Sequence, residues 1–282
     1  MNINVAIAQV TSRPLASEHN RGLTVDVIQD AFARGARLVV LPELIVSGYV
    51  LDAAQMRTLA EPLEGPTLAA WQTVASTHGG YIVGGFCERA GENLYNTGVL
   101  VGPRGLELHY RKLHLFEHEK AIFTPGDLGL PLAETPLGMM GVCICYDLRF
   151  VETARALALF GARIIAVPCS WENDFDPQPS MVNGYYPQAR NAMLQAGLDQ
   201  VFIACASQAG SDGEREFLGS SLVADPYGRT LLGPLSTSEP ALALTKIDLD
   251  EVGRAQQRAP LITPRADRRK DVYALWVEGV DL

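Results

Sequence analysis

The apolar residues of this chain recur with two different spacings. Leu23, Val27, Ile28, Ala31 and Phe32 fall on one face of a 3.6-residue period, which predicts a helix over residues 20–34. Other apolar residues form short β-branched runs bounded by glycine, proline or charged residues, which predicts buried strands. These patterns predict strands at residues 5–9, 38–41, 81–87, 97–101, 106–112, 142–146, 163–168, 200–206, 221–224 and 241–247, and further helices at 66–76, 152–159 and 186–198.

Strand and helix patterns alternate along most of the chain. Such alternation favours an α/β layered fold over separate α and β domains. The chain has 282 residues, which is long enough for a sizeable core. No stretch has the composition of a linker and no internal sequence repeat is found, so we expect one domain over residues 1–282.

Three of the predicted strands end at or just before a residue whose side chain can take part in catalysis. These residues are Glu43, Lys112 and Cys145. α/β folds assemble their sites at the carboxyl ends of strands. Taken singly, each residue is more often structural, because a charged strand end is usually solvated or salt-bridged and a free cysteine is usually buried. Their coincidence favours a catalytic site.

Cys145 is expected at a turn between the strand over 142–146 and the helix over 152–159. A thiol held there can face the amide groups of the helix start, which favours a thiolate nucleophile. Cys143 would point to the same side of a strand, so periodicity does not separate the two cysteines. Position does, since Cys145 lies nearer the turn. We expect the other cysteines to be packed core residues, namely Cys87, Cys143, Cys169 and Cys205.

The order of these three residues resembles that of the nitrilase superfamily of carbon–nitrogen hydrolases. The matching segments are Leu-Pro-Glu at 41–43, Tyr-Arg-Lys at 110–112 and Cys-Tyr-Asp-Leu-Arg-Phe at 145–150. Further matches at 5–9, 95–97, 123–127 and 219–228 and a basic tail at 265–273 extend the resemblance over nearly the whole chain. It implies a four-layer α-β-β-α sandwich, in which two mixed sheets pack face to face with helices outside.

The resemblance also implies a mechanism for amide hydrolysis. Cys145 would attack the carbonyl carbon of the amide, and Glu43 would take the thiol proton and return it to the departing ammonia. Lys112 and the backbone N–H of Tyr146 would stabilise the oxyanion. Water activated by Glu43 would then hydrolyse the thioester, so no cofactor is needed.

A second glutamate belongs to this implied site. Members of the superfamily carry one just before a Phe-x-Pro-Gly segment, and counting back from residues 123–126 gives Glu119 rather than Glu117. In the family this residue orients the substrate amide and holds the lysine and the attacking water in place.

Composition narrows the partners and the compartment. The 23 basic and 32 acidic residues argue against a nucleic-acid or anionic-membrane surface. The five cysteines fit a reducing compartment better than a disulfide framework. The N-terminus lacks a signal-peptide pattern, and no apolar run approaches the roughly 18 residues needed to span a bilayer. We therefore expect a cytoplasmic protein that acts on a small molecule.

Three rival functions are weighed against the hydrolase. His114, His118 and Glu119 could hold a metal, but their order is not that of a zinc-hydrolase helix and no further cluster supplies a ligand. A papain-like Cys–His enzyme would have a different sequence around its catalytic cysteine, and that sequence is not found here. A noncatalytic protein built on the same fold is the third rival, and the intact Glu43, Lys112 and Cys145 argue against it.

The substrate is expected to be a small amide, because the segment at 145–150 resembles the amidase branch. N-carbamoyl amines and nitriles remain alternatives within the superfamily. Tyr49, Trp171, Glu172 and Asn173 are candidates for the acyl pocket, and acidic Glu172 would disfavour a substrate carboxylate, as would Asp174. The resemblance implies a homodimer or larger assembly through the helices at 152–160 and 186–198, with the tail at 265–282 crossing to the partner.

Overall fold

A computed structural model describes residues 1–50, 52–172 and 181–282 of the chain. The first half supplies most of one mixed sheet, with strands β1 (Asn2–Gln9), β2 (Leu38–Val40), β3 (Tyr81–Ala90), β4 (Asn93–Gly102) and β5 (Gly105–Arg111), joined by β14 (Ala241–Asp248). The order across the sheet is β14-β1-β2-β3-β4-β5. β1, β2 and β3 are parallel, and the other neighbours are antiparallel. The helices α1 (Ser17–Ala33), α2 (Ala53–Leu59) and α3 (Pro66–His78) lie in its connections.

The second half supplies the other mixed sheet. Its strands are β6 (Leu132–Thr135), β7 (Gly138–Val142), β8 (Ile164–Cys169), β9 (Phe202–Ser207), β12 (Leu222–Ala224) and β13 (Thr230–Leu232), in the order β13-β12-β9-β8-β7-β6. β7, β8 and β9 are parallel, and they are connected through α4 (Val151–Leu159) and α5 (Pro187–Asp199). Outside the two sheets lie a hairpin of β10 (Ala209–Ser211) and β11 (Glu216–Leu218), helix α6 (Asp250–Gln256) and a hairpin of β15 (Trp276–Val277) and β16 (Val280–Asp281).

The two sheets pack face to face, with helices on the outer faces. Successive residues of a strand point to opposite faces. Val5 and Ile7 of β1 accordingly join a core cluster with residues of the second sheet, whereas Ala6 and Ala8 join the cluster under α1 and α3. Residues of α4 and α5 pack against the second sheet. The four-layer α-β-β-α arrangement expected from the sequence is confirmed.

The predicted strand at 142–146 is wrong, because β7 ends at Val142. The N–H of Ile144 donates to Asp147 Oδ2 at 2.9 Å instead of to a neighbouring strand. Cys145 has a left-handed backbone with φ of 45° and opens a 3₁₀ turn over Cys145–Arg149. Cys145 therefore lies outside the strand, and the alternation of side chains used to compare it with Cys143 does not apply to it.

Candidate active site

The polar ends of two strands of the first sheet meet in a buried ion cluster. Glu43 lies three residues beyond β2, and Lys112 directly follows β5. Lys112 Nζ donates to Glu43 Oε1 at 2.6 Å and to Glu119 at 2.8 Å. All three side chains are fully buried. The structure thus brings together three of the predicted site residues around one ammonium.

Glu119 is held by its own local structure. It lies in a 3₁₀ turn over Glu117–Ala121, and its Oε2 accepts the backbone N–H of Phe116 at 2.9 Å. The hydroxyl of Tyr49 donates to Glu119 Oε1 at 2.8 Å. Glu117 is 58% exposed and pairs with His118. Of the two glutamates weighed from the sequence, only Glu119 contacts Lys112.

The two oxygens of Glu43 have different surroundings. Oε1 accepts hydrogen bonds from Lys112 and from Asn96 Nδ2, the latter at 2.8 Å. Oε2 is buried and has no hydrogen-bond partner among the described residues. Burial raises the pKa of Glu43 to about 7 even though Lys112 acts to lower it. A carboxylate with one free oxygen and such a pKa can exchange protons near neutral pH.

Lys112 stays protonated in spite of its burial. Desolvation acts to lower the pKa of Lys112, but the carboxylates of Glu119 and Glu43 raise it well above its ordinary value. An ammonium has three donors. Two carboxylates occupy part of that capacity and leave a donor for a third acceptor, such as a substrate oxygen.

The turn that carries Cys145 is fixed by the carboxylate of Asp147. Oδ2 accepts the hydroxyl of Tyr110 at 2.7 Å and the N–H of Ile144, and Oδ1 accepts the N–H of His114 at 3.0 Å. A left-handed non-glycine residue costs of order 1–2 kcal/mol, so it persists only where its surroundings hold it. Asp147 provides that support for Cys145.

The charges that act on the Cys145 thiol include both Glu43 and Lys112. Contact with the Cys169 thiol and the charge of Lys112 lower the pKa of Cys145, but burial and Glu43 outweigh them and raise it above its ordinary value. A thiol with a raised pKa needs a base before it can attack, which is the part that the resemblance assigns to Glu43. Cys143 is fully buried, and burial raises the pKa of its thiol well above the usual range.

Cys145 lines a cleft with a volume of about 530 Å³, which includes the solvent-filled entrance. The predicted pocket residues Tyr49, Trp171 and Glu172 line it, as does Tyr146, whose backbone N–H is the predicted oxyanion donor. Glu172 Oε2 accepts a hydrogen bond from Arg215 Nη1 at 2.8 Å, so a neighbouring cation balances its charge. Asn173 and Asp174 lie outside the described residues.

The three residues weighed as a metal site have separate surroundings. His114 Nδ1 lies 2.8 Å from Asp147 Oδ1 and its ring stacks on Phe150, His118 is 69% exposed, and Glu119 binds Lys112. Over residues 1–50, 52–172 and 181–282, no group of three or more histidine, cysteine or acidic side chains could hold a metal ion. Within the same ranges, every helix falls short of what crossing a membrane requires.

Several site residues were missed from the sequence. Asn96 binds Glu43, and Ser170 Oγ donates to the carbonyl of Glu43 at 3.2 Å. Asp147 holds the turn, and Gln188 and Asn191 of α5 line the cleft. Asn96 and Asp147 stand within the motifs at 95–97 and 145–150, so the signal for these two was present. The others have none, since they reach the site only through tertiary packing.

Residues 4–257 match the carbon–nitrogen hydrolase family. The chain belongs to this family. It is 36% identical over 273 residues to a nitrilase of Pyrococcus abyssi, and the matched region covers 96% of this chain and 99% of that protein. It is 32% identical over 257 residues to an (R)-stereoselective amidase of Pseudomonas sp., which covers 90% of this chain and 88% of that protein.

A solved amidase from Nesterenkonia sp. has the same fold, with a TM-score of 0.75 at 26% identity over 96% of this chain and 94% of that chain. A mutant of the amidase from Nesterenkonia sp. AN1, which is 25% identical to this chain with a TM-score of 0.76, carries the acetamide moiety of fluoroacetamide, added covalently at its active-site cysteine. The expected membership of the nitrilase superfamily and the expected carbon–nitrogen hydrolase class are thus confirmed for this carbon–nitrogen hydrolase.

Replacing Lys112 should destabilise the protein strongly. Lys112→Met leaves two buried carboxylates without their cation, which typically costs about 3–5 kcal/mol. Lys120→Met is the matched control, because Lys120 lies on the same 3₁₀ turn with an exposed side chain and should change stability by about 0.5 kcal/mol or less. Urea unfolding measures both. Equal stability of the two variants would contradict a central role for the ammonium.

Proposed function

We propose that this carbon–nitrogen hydrolase cleaves small-molecule amides to a carboxylic acid and ammonia through a thioester on Cys145. The observation that carries the proposal is Glu43 Oε2, a buried oxygen without a partner among the described residues on a carboxylate whose pKa lies near 7. It is a proton acceptor whose charge acts on the Cys145 thiol, and that thiol needs a base. Lys112 supplies a fixed positive charge that binds Glu43 and acts on the same thiol.

The first half-reaction forms the thioester. Glu43 takes the thiol proton, the sulfur bonds to the carbonyl carbon, and the electron pair of the C=O bond moves to oxygen. Lys112 Nζ and the N–H of Tyr146 stabilise this oxyanion. When the intermediate collapses, the C–N bond breaks and Glu43 returns its proton to nitrogen, so ammonia leaves.

The second half-reaction restores the enzyme. Glu43 takes a proton from water, whose oxygen attacks the thioester carbon. The C–S bond then breaks, the proton goes to sulfur, and the acid departs. Glu119 binds Lys112 and Tyr49 and is proposed to hold the ammonium and the amide group of the substrate in place. Nitriles are an alternative substrate class, since the relatives include a nitrilase as well as an amidase. N-carbamoyl amines are the other alternative within the superfamily.

The working form is proposed to be a homodimer in the cytoplasm. Exposed apolar side chains lie on α4, on α5 and on the tail at 265–282, among them Val151, Leu198 and Trp276. Arg265 joins these elements, because its guanidinium donates to the carbonyls of Ala158 and Asp199 at the ends of the two helices. Exposed apolar side chains on elements that are joined in this way support pairing with a second copy.

Cys145→Ala should abolish ammonia release from small amides, with a loss of about a thousandfold or more in kcat/KM. The wild-type protein mixed with substrate and quenched with acid should carry the acyl mass on the peptide containing Cys145. Cys143→Ala is the matched control, since it removes a neighbouring core thiol and should keep the activity. Loss of activity in the control alone would show that the nucleophile is misassigned, and faster turnover of nitriles than of amides would overturn the amide preference.

The activity should rise with pH through the neutral range. Glu43 accepts the thiol proton only when it is ionised, and its raised pKa of about 7 means that kcat/KM falls roughly tenfold for each pH unit below that value. Stopped assays between pH 5.5 and 8.5 test this, with the unfolding midpoint followed over the same range to exclude denaturation. A flat profile would argue against Glu43 as the base.

The intact protein should have twice the chain mass by light scattering. Leu198→Asp places a charge within the exposed apolar surface of α5 and should give monomers. Leu106→Asp, on the edge strand of the first sheet, alters a side chain that is 38% exposed and should remain dimeric. A monomeric wild-type protein would refute the proposed homodimer.

A further inference from the structure

Glu172 is fixed in the wall of the cleft by the hairpin of β10 and β11. It forms an isolated bridge with Phe217, and the N–H of Leu218 donates to the carbonyl of Trp171 at 2.8 Å. Arg215 at the turn of the hairpin reaches back to Glu172 Oε2, with its guanidinium 5.4 Å from the ring centre of Tyr49. The side chain of Glu172 is 12% exposed and is therefore held in one orientation.

The other carboxylate oxygen of Glu172 has no donor among the residues that the structure describes. Oε1 is buried without a hydrogen-bond partner among the described residues, and the same is true of Gln188 Oε1, which belongs to the same cleft. A buried acceptor left unsatisfied costs free energy, so native structures rarely keep one without a reason. Two such acceptors in one cleft are complementary to a ligand that brings N–H donors.

We infer that Glu172 is a specificity-determining residue, which accepts a hydrogen bond from an amino group on the acyl part of the substrate. The inference rests on the proposed amide hydrolysis and names its substrate class: amides whose acyl chain ends in a primary amine. An ammonium carries three donors, so it can donate to Glu172 Oε1 and keep donors for other acceptors of the cleft. A substrate carboxylate would instead place further hydrogen-bond acceptors next to Glu172 and Gln188, which need donors.

The neighbouring cations define the competing outcome. Arg215 already occupies Glu172 Oε2, so the pair is neutral and the amine is recognised through the second oxygen. Arg149, exposed at the cleft, is the other charged residue among those described there. A substrate with a carboxylate would be expected to bind Arg149. A preference for such an anionic substrate would contradict the inference.

The test compares kcat/KM for amides of matched length: 3-aminopropanamide with butanamide, 4-aminobutanamide with pentanamide, and succinamate as the anionic member. At least one amino amide should exceed its alkyl counterpart by about tenfold or more, the size expected for one charge-assisted hydrogen bond. Glu172→Gln should reduce that ratio by a similar factor. Glu216→Gln removes the same charge from an exposed position on β11 and should keep the ratio of the wild type.

Arg215→Gln separates recognition from a structural role. It removes the partner of Glu172 but keeps the carboxylate, so the preference for the amino amide should persist or increase. If the ion pair of Glu172 and Arg215 only stabilised the shape of the cleft, both substitutions would reduce activity equally on the amino amide and on its alkyl counterpart. Equal turnover of amino and alkyl amides, or a preference for succinamate, would overturn the inference alone, whereas no turnover of any amide would overturn the proposed function itself.

Discussion

A single buried ammonium between two carboxylates organises the candidate site. Removing charges from water costs several kcal/mol for each ion, so such a cluster is a poor way to gain stability and is retained for what it does. The backbone around Lys112 is correspondingly tight. Gly126 donates its N–H to the carbonyl of Lys112 at 2.8 Å, and a Cβ at Gly126 would lie 2.0 Å from the carbonyl oxygen of Arg111. Glycine in the segment at 123–127 is thus needed to hold the lysine.

The two sheets repeat one topology without a detectable repeat in sequence. Read as β14-β1-β2-β3-β4-β5 and as β6-β7-β8-β9-β12-β13, both show antiparallel, parallel, parallel, antiparallel and antiparallel neighbours in turn. β2 and β8 occupy equivalent places, and their ends meet: the N–H of Glu43 donates to the carbonyl of Cys169 at 3.3 Å. The site therefore lies where equivalent strand ends of the two sheets come together.

The sequence predicted the layers and the charged cluster because both depend on local patterns. Apolar alternation located most strands of the two sheets, and motif order identified Glu43 and Lys112 at strand ends. It failed where tertiary contacts override local preference. The strand expected through Cys145 is replaced by a turn with a left-handed residue, and the carboxylate of Asp147 holds this turn by accepting three hydrogen bonds. Arg215 is distant from Glu172 in sequence, so their pairing left no pattern to detect.

The candidate site spans the junction between the two sheets. Glu43 and Lys112 follow strands of one sheet and Cys145 follows a strand of the other, so their mutual geometry exists only while the sheets are docked in register. A loosened state with intact strands and helices but fluctuating side-chain packing would keep its secondary structure and lose the alignment of sulfur and carboxylate. Catalysis in this architecture is consequently a more sensitive reporter of native packing than circular dichroism of the backbone.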